Sequence, residues 1–288
     1  ENAKEGLVFP ENISSRLSID ETSLSQGELY TVITNKESQG KKGTIVAIIS
    51  GTKSEVIIPF LQQIPLRKRK KVTEITLDLA GNMGLIAKCC FPNAVQVIDR
   101  FHVQQLASEA LQEIRIKHRW QAIDDENQAI EQARKKKETY YPEVLANSDT
   151  VKQLLARSRY LLYKSEYKWT CEQKERAKLL FERYSDIEKA YRLSQELSWI
   201  FNTSIDKLYG TTRLAKWVNK VEQSGFKSFN TVSRTINIHH KKILNYFDNK
   251  STNASAESFN AKIKAFRSQF RGVADINFFL FRLTKLFA

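Results

Sequence analysis

The sequence predicts an α/β protein: a mixed five-stranded sheet with flanking helices, interrupted by a large all-helical segment. Three observations carry this. The first hundred residues hold five short β-rich runs separated by Gly, Asn, Ser or Lys clusters of the kind that close turns. Residues 101–246 are instead long, charged, Leu-bearing stretches almost without Gly or Pro, the signature of helices. From residue 253 onward an amphipathic helical pattern returns.

The strands are read at 16–23, 28–34, 44–50, 74–78 and 94–99. Gaps between the first three suit hairpins, whereas the next two gaps can each hold a helix and suit a crossover to a parallel neighbour. Those helices fall at 54–63 and 83–90, with Pro59 expected to kink or restrict the first. The order β-β-β-α-β-α-β is an antiparallel meander continued by parallel strands. Further helices are read at 103–120, 150–167, 172–200, 204–224 and 229–247, with an exposed Lys/Glu-rich helix face at 124–138. No repeat of fixed period and no low-complexity linker is visible, so the helical block reads as an insertion in the sheet domain. The expected division is a first core part at 1–103, a helical insertion at 104–250 and a C-terminal core part at 251–288.

Composition narrows the function. The chain of 288 residues, 41% hydrophobic, can bury a sizeable core without disulfide support. Its three cysteines, two of them adjacent (Cys89, Cys90) and one distant (Cys171), form no even framework and no CxxC pair, which points to a reducing compartment and against structural zinc. No run approaches the roughly 18–20 apolar residues that span a bilayer, so no membrane partner is expected and the placement is cytoplasmic. The chain opens on Glu1 rather than Met, as expected of a processed product or of a piece lacking an upstream segment. A net charge of +14 points to a polyanionic partner, nucleic acid first.

Candidate site residues follow from where acids stand. Asp20 lies near the end of the first strand, Asp78 ends ITLD and Asp99 ends QVID. Acids at strand ends in an open α/β sheet collect along one rim, where such sheets place ligands. At about 100° per residue, Glu257, Asn260, Lys264 and Arg267 share one stripe of the C-terminal helix, while Phe259, Ile263, Phe266 and Phe270 form a separate apolar face. Ser251, Thr252 and Asn253 offer N-caps, which puts Glu257 in the first turn, where the helix dipole favours its charge. Singly, each aspartate is more simply a cap for the following turn. Together with Glu257 they make a hard oxygen cage for Mg²⁺ or Mn²⁺, and two such ions serve an in-line phosphoryl displacement.

The segments IDETSLSQGELYTV, ITLDLAGNMGLIAKCCFPNAVQVIDRFHV and TNASAESFNAKIKAFR closely resemble the DDE transposases of bacterial insertion sequences, in particular the ISL-three family. The resemblance runs from about residue 18 to 286, and FPNA followed by DRFHV, and TNA followed by E-x-x-N-x-x-I-K-x-x-x-R, are its specific elements. It implies an RNase H-like core of the retroviral-integrase type, with Asp20, Asp78 and Glu257 as catalytic acids and ligands of two Mg²⁺ or Mn²⁺ ions. It implies strand cleavage at transposon ends and transfer to target double-stranded DNA, by a nucleoid-associated bacterial protein acting as a homodimer on paired ends. DRFH matches an accessory aspartate-x-x-histidine element, so Asp99 and His102 are accessory; an alternative makes Asp99 itself the second ligand. The stretch LAGNMG after Asp78 departs from the family, where aromatic residues are common.

Lys262, Lys264, Arg267 and Arg271 lie near Glu257 in sequence, so a duplex backbone can be held beside the metals. Asn260 is accessory: it can coordinate, orient Glu257 or contact DNA. The five cations of Arg67–Lys71 are equally a DNA contact or a solvated loop. Trp169 is the aromatic to test for stacking on a base near the transposon end, although an aromatic at helical spacing is more simply core. Two rivals stand beside the transposase: an RNase H-like nuclease that cuts without joining, and a non-catalytic DNA-binding relic.

Overall fold

The computed structural model describes residues 5–25, 28–269 and 275–288. In chain order the elements are β1 (Gly6–Val8), β2 (Arg16–Ser25), β3 (Glu28–Asn35), β4 (Ile45–Ser50), α1 (Ser54–Gln62), α2 (Leu66–Arg69), β5 (Glu74–Leu77), α3 (Gly81–Cys90), β6 (Val95–Ile98) and α4 (Arg100–Lys136). They continue with α5 (Val151–Arg157), α6 (Cys171–Arg183), α7 (Ser185–Thr203), α8 (Lys207–Ser224), α9 (Lys227–Ile238), α10 (His240–Leu244), α11 (Tyr246–Asn249), α12 (Ala254–Gln269) and α13 (Ile276–Phe287). Two compact units result, one of residues 1–102 with 240–288 and one of residues 103–239. No helix among the described residues is long and apolar enough to cross a membrane.

The first unit is an α/β layer structure around a mixed sheet of order β1-β4-β3-β2-β5-β6. β1 to β4, β4 to β3 and β3 to β2 pair antiparallel, while β2 to β5 and β5 to β6 pair parallel. The sheet has six strands, not the expected five. The extra one, β1, is only three residues long and pairs Gly6 with Ile49 at the edge, too short to show alternation in sequence. On the faces, β4 and β5 are buried almost throughout, as in a sheet covered on both sides. α1 and α3 pack on each other, α1 against β4 and α3 against β5. α1 runs through Pro59 as one helix, so the proline does not interrupt it. On the other face, Phe259 and Ile263 of α12 and Phe279, Leu280 and Leu283 of α13 bury against Tyr30, Val32, Ile45 and Ile48. The apolar stripe of α12 is therefore what seats its polar stripe at the sheet. Phe270 falls outside the described residues.

In the second unit the helices are shorter than their apolar patterns suggest. The expected helix at 150–167 is α5, with a Thr150–Gln153 capping box, followed by two single 3-10 turns. The expected 172–200 helix divides at Tyr184 into α6 and α7. The expected 229–247 helix divides into α9 in this unit and α10 and α11, which belong to the first unit. α4 in contrast joins 103–120 and most of 124–138 in one 37-residue helix that ends at Lys136. Periodicity registers the faces and misses breaks that carry neither Gly nor Pro. Trp217 is fully buried here and donates its indole N–H to the Leu193 carbonyl at 2.8 Å.

Phe259→Ala leaves a void under α12 and is expected to destabilise the protein by about 3–5 kcal/mol. Urea unfolding followed by circular dichroism checks this, and a loss below about 1 kcal/mol would contradict the packing described.

Candidate active site

The parallel ladder decides where the acids stand. β2 pairs with β5 as Arg16↔Glu74, Leu17↔Ile75 and Ser18↔Thr76. Asp20 and Asp78 each lie two positions beyond the last pair, so the two-residue period returns both to the Ser18 and Thr76 face. β5 pairs with β6 as far as Leu77↔Ile98, which places Asp78 and Asp99 one step beyond the same pair. All three aspartates thus form one row where the parallel ladder ends, although β2 itself continues to Ser25 alongside β3.

Their environments differ. Asp20 is partly buried; Oδ1 accepts from the Glu21 backbone N–H at 2.8 Å and Oδ2 from Asn260 Nδ2 at 2.7 Å. Its carboxyl is pushed up to about 6, first by burial, against which the Glu21 N–H and His102 pull down while Asp78 and Glu257 push further up. The charges of Asp78, just beyond β5, and Glu257, in the first turn of α12, thus both raise the Asp20 carboxyl. Asp78 Oδ1 accepts from the Ala80 N–H at 2.7 Å, closing the turn into α3. Asp99 is fully buried, and both its oxygens are taken by backbone: Oδ1 by the Phe101 N–H (3.2 Å) and Oδ2 by the Asn253 N–H (3.1 Å). His102 Nδ1 lies 4.0 Å from Asp99 Oδ2, too far for a hydrogen bond.

α12 brings the remaining groups. Asn253 precedes it and its carbonyl accepts the Glu257 N–H at 2.9 Å. Its side chain reaches the Ile19 carbonyl at 3.4 Å rather than capping the helix. Glu257 is exposed, while Asn260, three residues on, is only 8% exposed and turned to Asp20. Lys262 and Lys264 are exposed, and Lys262 Nζ donates to the Gly40 carbonyl at 3.1 Å. The Arg267 guanidinium lies 5.2 Å from the Phe279 ring centroid. Arg271 falls outside the described residues. Trp169, in the second unit, is partly buried, donates its indole N–H to the Leu161 carbonyl at 2.8 Å and lies 5.4 Å from the Tyr191 ring. Within the Arg67–Lys71 run, Arg69 is structural, bonding the Ile64 and Cys90 carbonyls at 2.9 and 2.8 Å.

Sequence reasoning missed Glu21 and Asn82. Burial and the charge of Asp78 raise the Glu21 carboxyl, while a hydrogen bond from Asn82 opposes them. The only signal was adjacency to Asp20, and the dipeptide alone is too common to select.

Hard carboxylate oxygens that repel one another are what a small divalent cation neutralises, and the Asn260 Oδ1, buried without a hydrogen-bond partner, adds a further hard oxygen beside them. In kind the donor set fits Mg²⁺ or Mn²⁺. Among the described residues, however, no group of three or more His, Cys, Asp or Glu side chains is placed so that it could hold a metal ion.

A family model described as a transposase, of the DDE type and the ISL-three group, matches residues 17–283. The chain is similar to the transposase for insertion sequence element IS1557 of Mycobacterium tuberculosis, 24% identical over 255 residues that cover 86% of this chain and 54% of the relative. It is also similar to the transposase for insertion sequence element IS1001 of Bordetella parapertussis, 21% identical over 274 residues that cover 94% of this chain and 60% of the relative. The chain thus spans little more than half the length of these curated relatives. No solved structure matches it.

The raised Asp20 carboxyl has a stability consequence. The folded group binds its proton more tightly than the unfolded one, so ionised Asp20 destabilises the fold above pH 6, and the penalty is relieved as pH falls toward 4. Asp20→Asn is therefore expected to stabilise the metal-free protein at pH 8, by up to about 3 kcal/mol. The gain should vanish below about pH 4. Thermal unfolding in EDTA at several pH values measures it, and a gain independent of pH would show that burial of the charge is not its source.

Proposed function

This chain belongs to the ISL-three family of DDE transposases, and from that membership we propose that it is the catalytic region that cleaves DNA at transposon ends and joins the freed 3′-hydroxyl to target DNA. One observation supports the assignment of the site: the β2–β5 register and the Asn260–Asp20 hydrogen bond bring Asp20, Asp78 and the helix that carries Glu257 to one end of the parallel ladder, where the charges of Asp78 and Glu257 both raise the Asp20 carboxyl.

In this reading Asp20, Asp78 and Glu257 are the catalytic acids and would hold the metal. When bound, a pair of Mg²⁺ or Mn²⁺ ions supplies activation of a water or hydroxyl nucleophile and neutralises the leaving oxygen. Asn260 holds the Asp20 carboxylate in one orientation through its Nδ2. Asp78 rather than Asp99 is the second ligand, because backbone N–H groups already occupy both oxygens of the fully buried Asp99. Asp99 and His102 are accessory. The exposed Lys262 and Lys264, with Arg267 and Arg271, hold the phosphate backbone. Trp169 keeps the stacking role, with its polar edge spent on Leu161 and its ring among Tyr191 and Phe181.

The antiparallel meander β2-β3-β4, edged by the short β1 and continued by β5 and β6 parallel to β2, with a Glu-bearing helix returning late in the chain, supports an RNase H-like core. The helical unit at 103–239 is then an insertion between β6 and that helix. The partner is duplex DNA, in keeping with the +14 charge, and the enzyme works as a homodimer on paired ends at the nucleoid.

Asp20→Ala and Glu257→Ala are expected to lower Mg²⁺-dependent cleavage of a duplex carrying the transposon end by on the order of a thousandfold or more. Affinity for that duplex should change little, since phosphate contacts come from the cations. Strand transfer from a pre-cleaved end is the decisive assay: joined products from wild type and none from the variants are expected, whereas unimpaired cleavage by Asp20→Ala would sink the proposal. Asp78→Asn should lose more activity than Asp99→Asn, with partial rescue by Mn²⁺. Neutralising Lys264 should weaken binding across all DNA sequences and reduce the salt slope by about one. An unchanged slope would remove Lys264 from the interface.

A further inference from the structure

Asp20 and Asp78 reach the rim on strands, whereas Glu257 arrives on a helix whose start must be fixed by the segment that precedes it. That segment, residues 249–253, is held by a buried polar network on the acid-bearing face. Glu74 and Thr76 precede Asp78 at two-residue steps, so the strand period turns all three to one side. Glu74 is 5% exposed; its Oε1 accepts from Ser251 Oγ at 2.5 Å and its Oε2 from Asn249 Nδ2 at 3.1 Å. Lys36, in the single 3-10 turn after β3, places Nζ 2.8 Å from Thr76 Oγ1, donates to Ser251 Oγ and lies 3.7 Å from Glu74. Two residues beyond Ser251, the Asn253 N–H meets Asp99, and the Asn253 carbonyl receives the Glu257 N–H.

We infer that Lys36, Glu74, Thr76 and Ser251 are positioning residues of the site: they clasp residues 249–253 and so determine where α12 begins and where Glu257 stands. The inference rests on the reading of Glu257 as the third acid. A buried Lys–Glu pair contributes little net stability, because desolvating both charges costs about what their attraction returns. What it supplies is selectivity. A slip of one residue in the clasped segment would withdraw Ser251 from Glu74 and Lys36 and leave buried charges under-satisfied, so one placement is strongly preferred. Outer groups that orient acids in this way typically change metal affinity or activity by about 10–100-fold when removed.

The test uses the full chain with all four groups made apolar: Lys36→Met, Glu74→Leu, Thr76→Val and Ser251→Ala. We expect thermal stability in EDTA close to wild type, with Mn²⁺ affinity, read from the free-ion EPR signal in a titration of the metal alone, and cleavage both falling by at least about tenfold. Wild-type affinity and cleavage in the folded variant would overturn the inference. If that variant does not fold, Ser251→Thr, which keeps the hydroxyl, should retain Mn²⁺ affinity and Ser251→Ala should lose it; equal behaviour of the two overturns the inference. Glu257→Ala run alongside separates the failures. If it still cleaves, the reading of Glu257 as the third acid is wrong; if it is dead while the clasp variants behave as wild type, only the clasp is wrong.

Discussion

The parallel register of β2, β5 and β6 is the constraint on which the candidate site depends. It places Asp20, Asp78 and Asp99 in one row, each just past the last parallel pair of its strand, with Asp20 still paired to Val32 on its antiparallel side. Because side chains alternate, slipping a strand by one residue would send its acid to the opposite face, where α1 and α3 pack. The register is defended by burial: Leu17, Ile19, Ile75, Leu77 and Ile98 are all essentially inaccessible, and exposing them costs far more than any rearrangement of the rim returns. Like charges are thereby gathered in partly buried surroundings, and the raised Asp20 carboxyl records the cost. Such local destabilisation is expected where a site is built for a ligand rather than for the stability of the free protein.

Equivalent register does not mean equivalent role. Asp99 is drawn inside and becomes a joint, its two oxygens tying the start of α4 to the residue before α12. Asp78 spends one oxygen on the turn into α3. Asp20 is steadied by a carboxamide on α12, which packs over its face of the sheet. Three residues of one type in one row are thus separated by what the rest of the chain brings to each: backbone N–H groups, a local turn, or a distant side chain.

α12 joins the apolar and polar halves of this arrangement. Phe259 and Ile263 sink into the cluster beneath α13, and that burial carries Asn260 to Asp20 and leaves Glu257, one turn earlier, exposed. Packing fixes the rotation of the helix about its axis, whereas the position of its first turn is set by polar contacts of the preceding segment with Glu74, Lys36 and Asp99. The proposed phosphoryl chemistry needs both, because a carboxylate displaced by one helical step would no longer share the space of the strand-borne acids.

Short-range information in the sequence determined the α/β class, the antiparallel-then-parallel strand order and the two stripes of α12, because gap length limits which strands can pair and residue spacing sets which side chains share a helix face. It also marked the three strand-end acids and Glu257. Only the tertiary structure decided that Asp99 is enclosed while Asp78 is not, that Asn260 serves Asp20, that Arg69 is structural, and that Lys36, Glu74 and Ser251 form one network. Each of these depends on partners brought from elsewhere in the chain, as far apart as Asn260 and Asp20. A residue's type records what it can bond, but whether water or another side chain fills that capacity is settled only when packing removes the water.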